Sequence, residues 1–562
     1  MTHAAAPGPS PAPGRPGAGG RAWALLAVVV VLWFGGLGLR ALYFPDEGRY
    51  AEIPREMRAS GDYVTPRLDG YPYFEKPPLQ YWLTAGAFAL LGENAFAARV
   101  VPALAGLAAV LVVLVTVRRI AGRRAGWMAG AMMGGSLGFF LSSQFVTLDM
   151  LLTALLTGAL CAFLLAQDAR ASAADRRRRM WVAWALCALA VLTKGLVGLL
   201  LPMLAIGAYV VVARDVALLR RLEIPAGMAI VAVITVPWFA LVQSRNPGFA
   251  EFFFVHEHWQ RFTSPVHRRT GSLLYFVPIA IGFLLPWLPA LVVSARRRPR
   301  PPARGVFSPE RFGWCWATAI FVFFSVSSSK LPAYVMPALA GAAVAGGIGL
   351  ARQGTRAIAI TVWTMLGLGV AVAAGALPAA DAIRVDLVQD RYEESVGWLL
   401  AAAAILMVAA GAALAALRAR RRLLALAAIV VGVLAACQAG LVVAWHVDAY
   451  FSAKRVLDPV MHGTRPFRPD VPFYTVDFFD QTVPFYLGRT VVPVKEKNEI
   501  DWAIAAAPGP YIDDLATFMQ RWRDGGDAFA VMRTATYEWL RLGALPMRVL
   551  ATDGRRVVVA RH

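Results

Sequence analysis

Residues 96–124 read FAARVVPALAGLAAVLVVLVTVRRIAGRR. The apolar run 96–117 leads directly into Arg118, Arg119, Arg123 and Arg124. A helix of about twenty apolar residues crosses the hydrocarbon layer of a bilayer, and arginine in the short loop behind it marks the cytoplasmic side. The same alternation recurs along the chain. Further clusters are Arg170 with Arg176, Arg177, Arg178 and Arg179; Arg214 with Arg220 and Arg221; the run from Arg296 to Arg304; Arg352 with Arg356; and Arg418 with Arg420, Arg421 and Arg422. Between successive clusters there is room for two crossings, so the chain leaves and returns each time.

The pattern predicts a polytopic α-helical membrane protein with about 13 transmembrane helices. The expected spans are 22–42, 96–117, 125–142, 148–167, 181–193, 195–213, 225–243, 272–294, 312–328, 331–351, 357–378, 396–416 and 423–445. An odd count puts the N-terminus inside and the C-terminal region outside. Composition agrees. Of 562 residues, 58% are hydrophobic and 16% charged, where a soluble domain carries about a quarter charged residues.

The net charge of +21 could suggest nucleic acid or an anionic surface, but the arginines sit in short clusters between apolar stretches, which argues otherwise; the expected surroundings are membrane lipids, with no nucleic acid. Lysine is scarce: Lys76, Lys194, Lys330, Lys454, Lys495 and Lys497 are all the chain has. The four cysteines lie in apolar stretches, so no disulfide framework or zinc ribbon is expected.

Residues 1–21 are Ala/Pro/Gly-rich and read as a disordered cytoplasmic segment, followed by a retained anchor. The membrane domain is expected over 22–445, with a first outer loop at 43–93. In that loop a short helix from Glu47 to Arg58, interrupted at Pro54, precedes Pro77-Pro78, which starts a surface-lying helix. From 446 to 562 strands at Phe473–Val476, Thr490–Val494, Arg548–Ala551 and Arg556–Ala560 alternate with helices at Thr482–Leu487 and Ile512–Trp522. That is the pattern of a small α/β domain.

Ionisable groups close to hydrocarbon are costly unless they serve a site. The first outer loop carries Asp46, Glu47, Glu75 and Lys76, and the outer hairpin tips carry Asp149, Lys194 and Lys330. A longer outer loop, 244–271, adds His256, Glu257, His258 and Arg261. All converge on one face, which has no nucleotide pool, so a group donor there arrives on a lipid. Lysine serves lipid phosphate as a point charge and arginine as a bidentate fork.

Several motifs carry a resemblance. Pro45-Asp46-Glu47-x-Arg49-Tyr50-Ala51, Tyr73-x-Glu75-Lys76-Pro77-Pro78-Leu79, Thr147-x-Asp149-Met150, Glu257-His258-x-Gln260-Arg261-Phe262, Ser329-Lys330-Leu331-Pro332-x-Tyr334 and Phe485-Tyr486-Leu487-Gly488-Arg489 resemble the aminoarabinose lipid A transferases. These belong to the protein O-mannosyltransferase-like group with the GT-C glycosyltransferase fold.

The resemblance implies transfer of 4-amino-4-deoxy-L-arabinose from undecaprenyl phosphate to a lipid A phosphate. It implies the periplasmic face of a bacterial inner membrane and resistance to polymyxin-type cationic peptides. Asp46, Asp149 and Glu75 are the candidate catalytic carboxylates. Asp46 inherits the role of base, with orientation of the acceptor or the sugar ammonium as the alternative. Lys76, Arg261, Lys194, Lys330 and Tyr334 are candidates for the donor phosphate, and Glu47, Tyr50 and Tyr73 for substrate. No cofactor is required by this reading; Glu75, His256 and His258 are a candidate zinc set. The chain is expected to act as a monomer. Two other readings stand beside it: a polyprenyl-phosphate-sugar transferase acting on protein or another envelope glycan, and a lipid or sugar transporter.

Overall fold

The structure is a computed structural model and describes residues 18–260, 271–296, 306–382, 392–463, 468 and 470–561. The membrane part opens with α1 (Ala18–Phe34), and α2 (Asp46–Ser60) and α3 (Leu79–Leu91) follow in the first loop. Between those two, β1 (Arg67–Leu68) pairs antiparallel with β2 (Tyr71–Pro72). Next come α4 (Ala95–Ala121), α5 (Arg123–Gly134), α6 (Leu137–Ser143), α7 (Leu148–Ala166), α8 (Ala173–Lys194), α9 (Val197–Ala213) and α10 (Ile224–Arg245). Later helices include Pro309–Val326, Met336–Gln353, Thr355–Ala382, Tyr392–Arg418 and Arg422–His446.

Among the described residues seven helices are long and apolar enough to cross a membrane, or eight if one bent pair counts as a span. The chain is a multi-pass membrane protein. Some other expected spans are short or broken, whereas those at 181–193 and 312–328 lie in the unbroken helices α8 and Pro309–Val326. The span expected at 22–42 stops as a helix at Phe34, because Gly35, Gly36 and Gly38 favour turns and Arg40 is drawn into a buried ion pair. The span expected at 125–142 breaks between α5 and α6.

The span expected at 272–294 bends by 103° between Phe276–Leu284 and Leu288–Arg296. The two breaks satisfy each other. Trp287 Nε1 donates to the Gly135 carbonyl at 3.0 Å, and the Leu137 amide donates to the Leu285 carbonyl at 3.0 Å. Backbone groups freed inside a membrane protein need such partners. Elsewhere small residues bring helices close: a Cβ at Gly313 would stand 2.8 Å from the Gly341 carbonyl of the facing helix.

The interruption expected at Pro54 does not occur. α2 runs through it, since Glu47 to Met57 are buried and packing on both sides outweighs the missing amide. Acidic residues in its first turn and Arg58 in its last suit the helix dipole, and Gly61 closes it in the left-handed region. α3 begins directly after Pro78, with Leu83, Leu90 and Leu91 exposed along it.

The C-terminal part is a five-stranded sheet in the order β4-β3-β5-β7-β6. Its strands are β3 (Phe473–Val476), β4 (Val492–Val494), β5 (Phe529–Arg533), β6 (Arg548–Thr552) and β7 (Arg556–Ala560). β3 pairs in parallel with β4 and β5, whereas β7 is antiparallel to β5 and β6. The central strand β5 is missing from the sequence reading, since only Phe529–Met532 stands apolar behind Gly525-Gly526-Asp527.

This domain sits on the first loop in a shared core that includes Tyr50, Tyr81, Phe88, Phe485, Ile500 and Tyr511. The approach is close: a Cβ at Gly48 would lie 2.8 Å from the Thr482 amide nitrogen. Asp69 accepts from the Val491 amide at 2.6 Å, and the Tyr71 hydroxyl donates to the Pro508 carbonyl at 2.8 Å.

Candidate active site

Where α2 begins, the first loop, the N-terminal end of α7, the C-terminal end of α8 and the C-terminal domain enclose a polar cavity of about 210 Å³. Asp46, Tyr50, Glu75, Lys76, Asp149, Lys194 and Tyr334 all line it. The structure therefore brings together residues separated by nearly 290 positions. A second cavity of about 120 Å³ adjoins it and shares Glu75, Lys76, Lys194 and Tyr334. Its other walls are mostly apolar, with Leu152, Val197, Phe323 and Phe324.

Asp46 stands in the first turn of α2 with its side chain 43% exposed, ion-paired to Arg49 one helical turn on. Arg49 is held in turn by Glu499 of the C-terminal domain, and its guanidinium lies 4.7 Å from the Tyr50 ring centre. Glu499 also accepts from Gln481. One arginine thus ties the candidate carboxylate to the domain above it.

The lysines are paired with acids. Lys194 binds Asp149 and lies 4.4 Å from the centre of the Tyr334 ring, so the α7 and α8 tips are clasped together. Lys76 donates to the Glu75 carbonyl at 2.7 Å and faces Glu257 at 3.4 Å and the Glu75 carboxylate at 3.6 Å. Both ammonium groups stand where the polar and apolar cavities meet.

Three candidates fall elsewhere. Glu47 does not line the cavity; it points into the protein as an anchor. Arg99 grips it through two bonds of 2.7 Å, Arg40 adds one of 3.1 Å, and the amides of Val146 and Tyr43 donate at 3.0 and 3.1 Å. Burial raises the Glu47 carboxyl pKa, but Arg40 and Arg99 outweigh it and hold the group down at about 2. Tyr73 is buried behind Arg49, 5.8 Å from ring centre to guanidinium, and is not among the residues lining either cavity. Lys330 is buried and donates to the Ser325 carbonyl at 2.6 Å, with its ammonium 5.6 Å from the Phe276 ring, and it lines neither cavity.

Arg261 and the side chain of His258 lie outside the described residues. His256 Nδ1 faces Glu257 Oε1 at 3.4 Å. Among the described residues no three His, Cys, Asp or Glu side chains come together as metal donors, and the Glu75 carboxylate faces Lys76.

Comparison with known proteins bears on this arrangement. Residues 21–253 match the family described as dolichyl-phosphate-mannose-protein mannosyltransferase, and residues 462–561 match the aminoarabinose transferase C-terminal domain. The chain superposes on the crystal structure of ArnT from Cupriavidus metallidurans bound to undecaprenyl phosphate. The TM-score is 0.89, with 37% identity over 97% of this chain and 99% of that one. This chain belongs to the aminoarabinose transferase family. Its fold is that of the GT-C glycosyltransferases.

The apo structure of the same Cupriavidus protein gives a TM-score of 0.88 at 36% identity, covering 97% and 98% of the two chains. The undecaprenyl phosphate-alpha-4-amino-4-deoxy-L-arabinose arabinosyl transferase of Shewanella sediminis is 33% identical over 57% of this chain. That alignment spans 58% of the Shewanella protein's length.

In this aminoarabinose transferase the sequence reading missed Arg40, Arg99, Arg49 and Glu499 as parts of the site's frame. Arg99 carried a usable signal, being a lone charge in an apolar span. Glu499 carried none, since it sits among ordinary polar residues some 450 positions after its partner.

Proposed function

We propose that the protein transfers 4-amino-4-deoxy-L-arabinose from undecaprenyl phosphate to a phosphate of lipid A. The reaction would take place on the periplasmic face of a bacterial inner membrane. The observation that carries this reading is the pair of adjoining cavities with Lys76 and Lys194 at their junction. A lipid phosphate at the junction places its sugar in the polar cavity beside Asp46 and sends its prenyl chain along Leu152, Phe323 and Phe324.

In the reaction an acceptor oxygen attacks the anomeric carbon as the bond from that carbon to the donor phosphate breaks. The electron pair leaves on undecaprenyl phosphate, and Lys76 and Lys194 are placed to stabilise that charge. A lipid A phosphate is already anionic near neutral pH, so little deprotonation is needed. Asp46 then orients the acceptor or holds the sugar ammonium. Adding a cationic sugar to a phosphate weakens attraction of cationic peptides, which accounts for polymyxin resistance.

The match of residues 21–253 to a protein mannosyltransferase family favours a second reading, with a hydroxyl acceptor and Asp46 as a true base. Mass spectrometry of lipid A from a transferase-null strain expressing the chain separates the two. Aminoarabinose-bearing lipid A is expected. Unmodified lipid A alongside newly glycosylated envelope protein would refute the first reading.

A further inference from the structure

At the end of the bundle opposite the active site there is a third cavity, of about 970 Å³. α4 starts beside Glu47, through Arg99, and its 27 residues carry the chain about 40 Å to this far end. Three hairpin turns surround the cavity: that between α4 and α5, that at Gly354 between Met336–Gln353 and Thr355–Ala382, and that between Tyr392–Arg418 and Arg422–His446.

Arg123, Arg124, Arg420, Arg421 and Arg422 line it, and no acidic residue does. Among the described residues none of the five has a carboxylate within salt-bridge distance, in contrast to Arg352 nearby, which pairs with Glu310. The remaining wall is apolar. Trp127, Leu423 and Leu424 are partly exposed at its mouth, and Leu417 and Ile358 lie within.

Arginines that only fix topology need charge in a loop, not a shared cavity with apolar walls. Five like charges gathered from three separate turns repel one another unless an anion is shared between them. The guanidinium fork suits phosphate oxygens. The adjoining leucines suit acyl chains, and tryptophan suits the interface between the two. A soluble anion would gain nothing from Leu423 and Leu424.

We propose that this cavity binds an anionic phospholipid whose headgroup carries two phosphates, the cardiolipin class, in the leaflet away from the active site. Basic pockets between transmembrane helices recognise such headgroups. Two phosphates, each taking two or three forks, match the count of five arginines better than a single phosphate does.

The test is native mass spectrometry of the full-length protein in mild detergent, titrated with tetraoleoyl cardiolipin, dioleoyl phosphatidylglycerol and dioleoyl phosphatidylethanolamine. Cardiolipin is expected to bind tightest and phosphatidylethanolamine weakest. Excess sodium pyrophosphate should leave the cardiolipin adduct in place. The double variant Arg421→Gln/Arg422→Gln keeps Arg418, Arg420, Arg123 and Arg124, so charge remains to orient the hairpins. It should bind cardiolipin about thirtyfold more weakly, at roughly fivefold per arginine.

Equal binding of either other lipid by the unaltered protein would overturn the two-phosphate assignment. Stripping of cardiolipin by excess pyrophosphate would reassign the site to a soluble polyanion. Unchanged affinity in the double variant would remove the cavity from consideration. If that variant is not recovered, the ranking on the unaltered protein and the pyrophosphate competition still decide.

Discussion

Replacing Glu47 by glutamine changes one oxygen for one nitrogen, yet it should damage this protein more than most substitutions at the cavity wall. The carboxylate neutralises Arg99 and Arg40, both nearly inaccessible, and accepts two backbone amides. Glutamine removes the charge and places an NH₂ group against other donors. Breaking a buried pair by removing one partner costs about 3–5 kcal/mol, because the surviving charge stays buried.

The Glu47 carboxyl supplies a second route to the size. Its ordinary value is 4.5 and its folded value about 2, a difference worth about 3 kcal/mol. The sign follows from the depressed value. This stability is fully present above an ordinary glutamate's range and is lost as pH falls toward about 2. The two routes agree on roughly 3 kcal/mol or more.

In a thermal unfolding assay in detergent, Glu47→Gln should lower the apparent midpoint by about 6 °C or more, at ~2 °C per kcal/mol for a larger domain. Transfer should fall with it, since Asp46 is the adjacent residue and the first turn of α2 loses its anchor. A substrate-binding Glu47 makes the opposite prediction: unaltered unfolding and a raised KM. An unchanged midpoint together with a raised KM would refute the anchoring argument.

Three further outcomes are expected. Asp46→Asn should reduce transfer strongly, and comparing pH–rate profiles assigns its role: a carboxylate-like acid limb present in the wild type and absent in the variant identifies a general base, for which about 10²–10⁴-fold is typical. Lys76→Ala should cut transfer by about 10²-fold or more, as removal of one electrostatic stabiliser does, while the protein still reaches the membrane; full polymyxin protection at normal expression would exclude its phosphate role. Burial, with the neighbouring acids, raises the carboxyls of Glu56 and Asp69 well above the ordinary range. The folded state then holds protons that the unfolded chain has released, so stability falls as pH rises through that window. The unfolding midpoint should be higher at about pH 5.5 than at about pH 8, and Glu56→Gln should flatten the difference.

The membrane architecture was legible because it is written in local composition: apolar runs and arginine clusters need no knowledge of distant contacts. The site was legible for a related reason, since an acid or lysine at an outer hairpin tip stands out against its apolar neighbours, as Asp46, Asp149, Lys76 and Lys194 do. Direction was not legible. Asp46 and Glu47 are adjacent and chemically alike, but the helical step of about 100° between neighbours sends the first into the cavity and the second toward Arg99. Lys330 sits in as suggestive a tip as Lys194, and only the packing of its hairpin against Phe276 turns its ammonium away.

The roof of the site was hidden for a different reason. Glu499 has no distinguishing neighbourhood, and its role exists only once α2, passing close under Thr482 at Gly48, brings Arg49 beneath it. Glu499 also lines the polar cavity, and if its contact fixes Arg49, then Glu499→Gln should disturb catalysis by freeing that arginine. Arg49 would lose its outer partner and swing toward Asp46, so the rate should fall with donor affinity little changed. Forcing the contact apart by Gly48→Ala should do the same through the backbone, because its Cβ has no room against Gln481 and Thr482. Two variants at opposite ends of one contact that gave unrelated kinetic defects would show that the C-terminal domain does not position Arg49 at all.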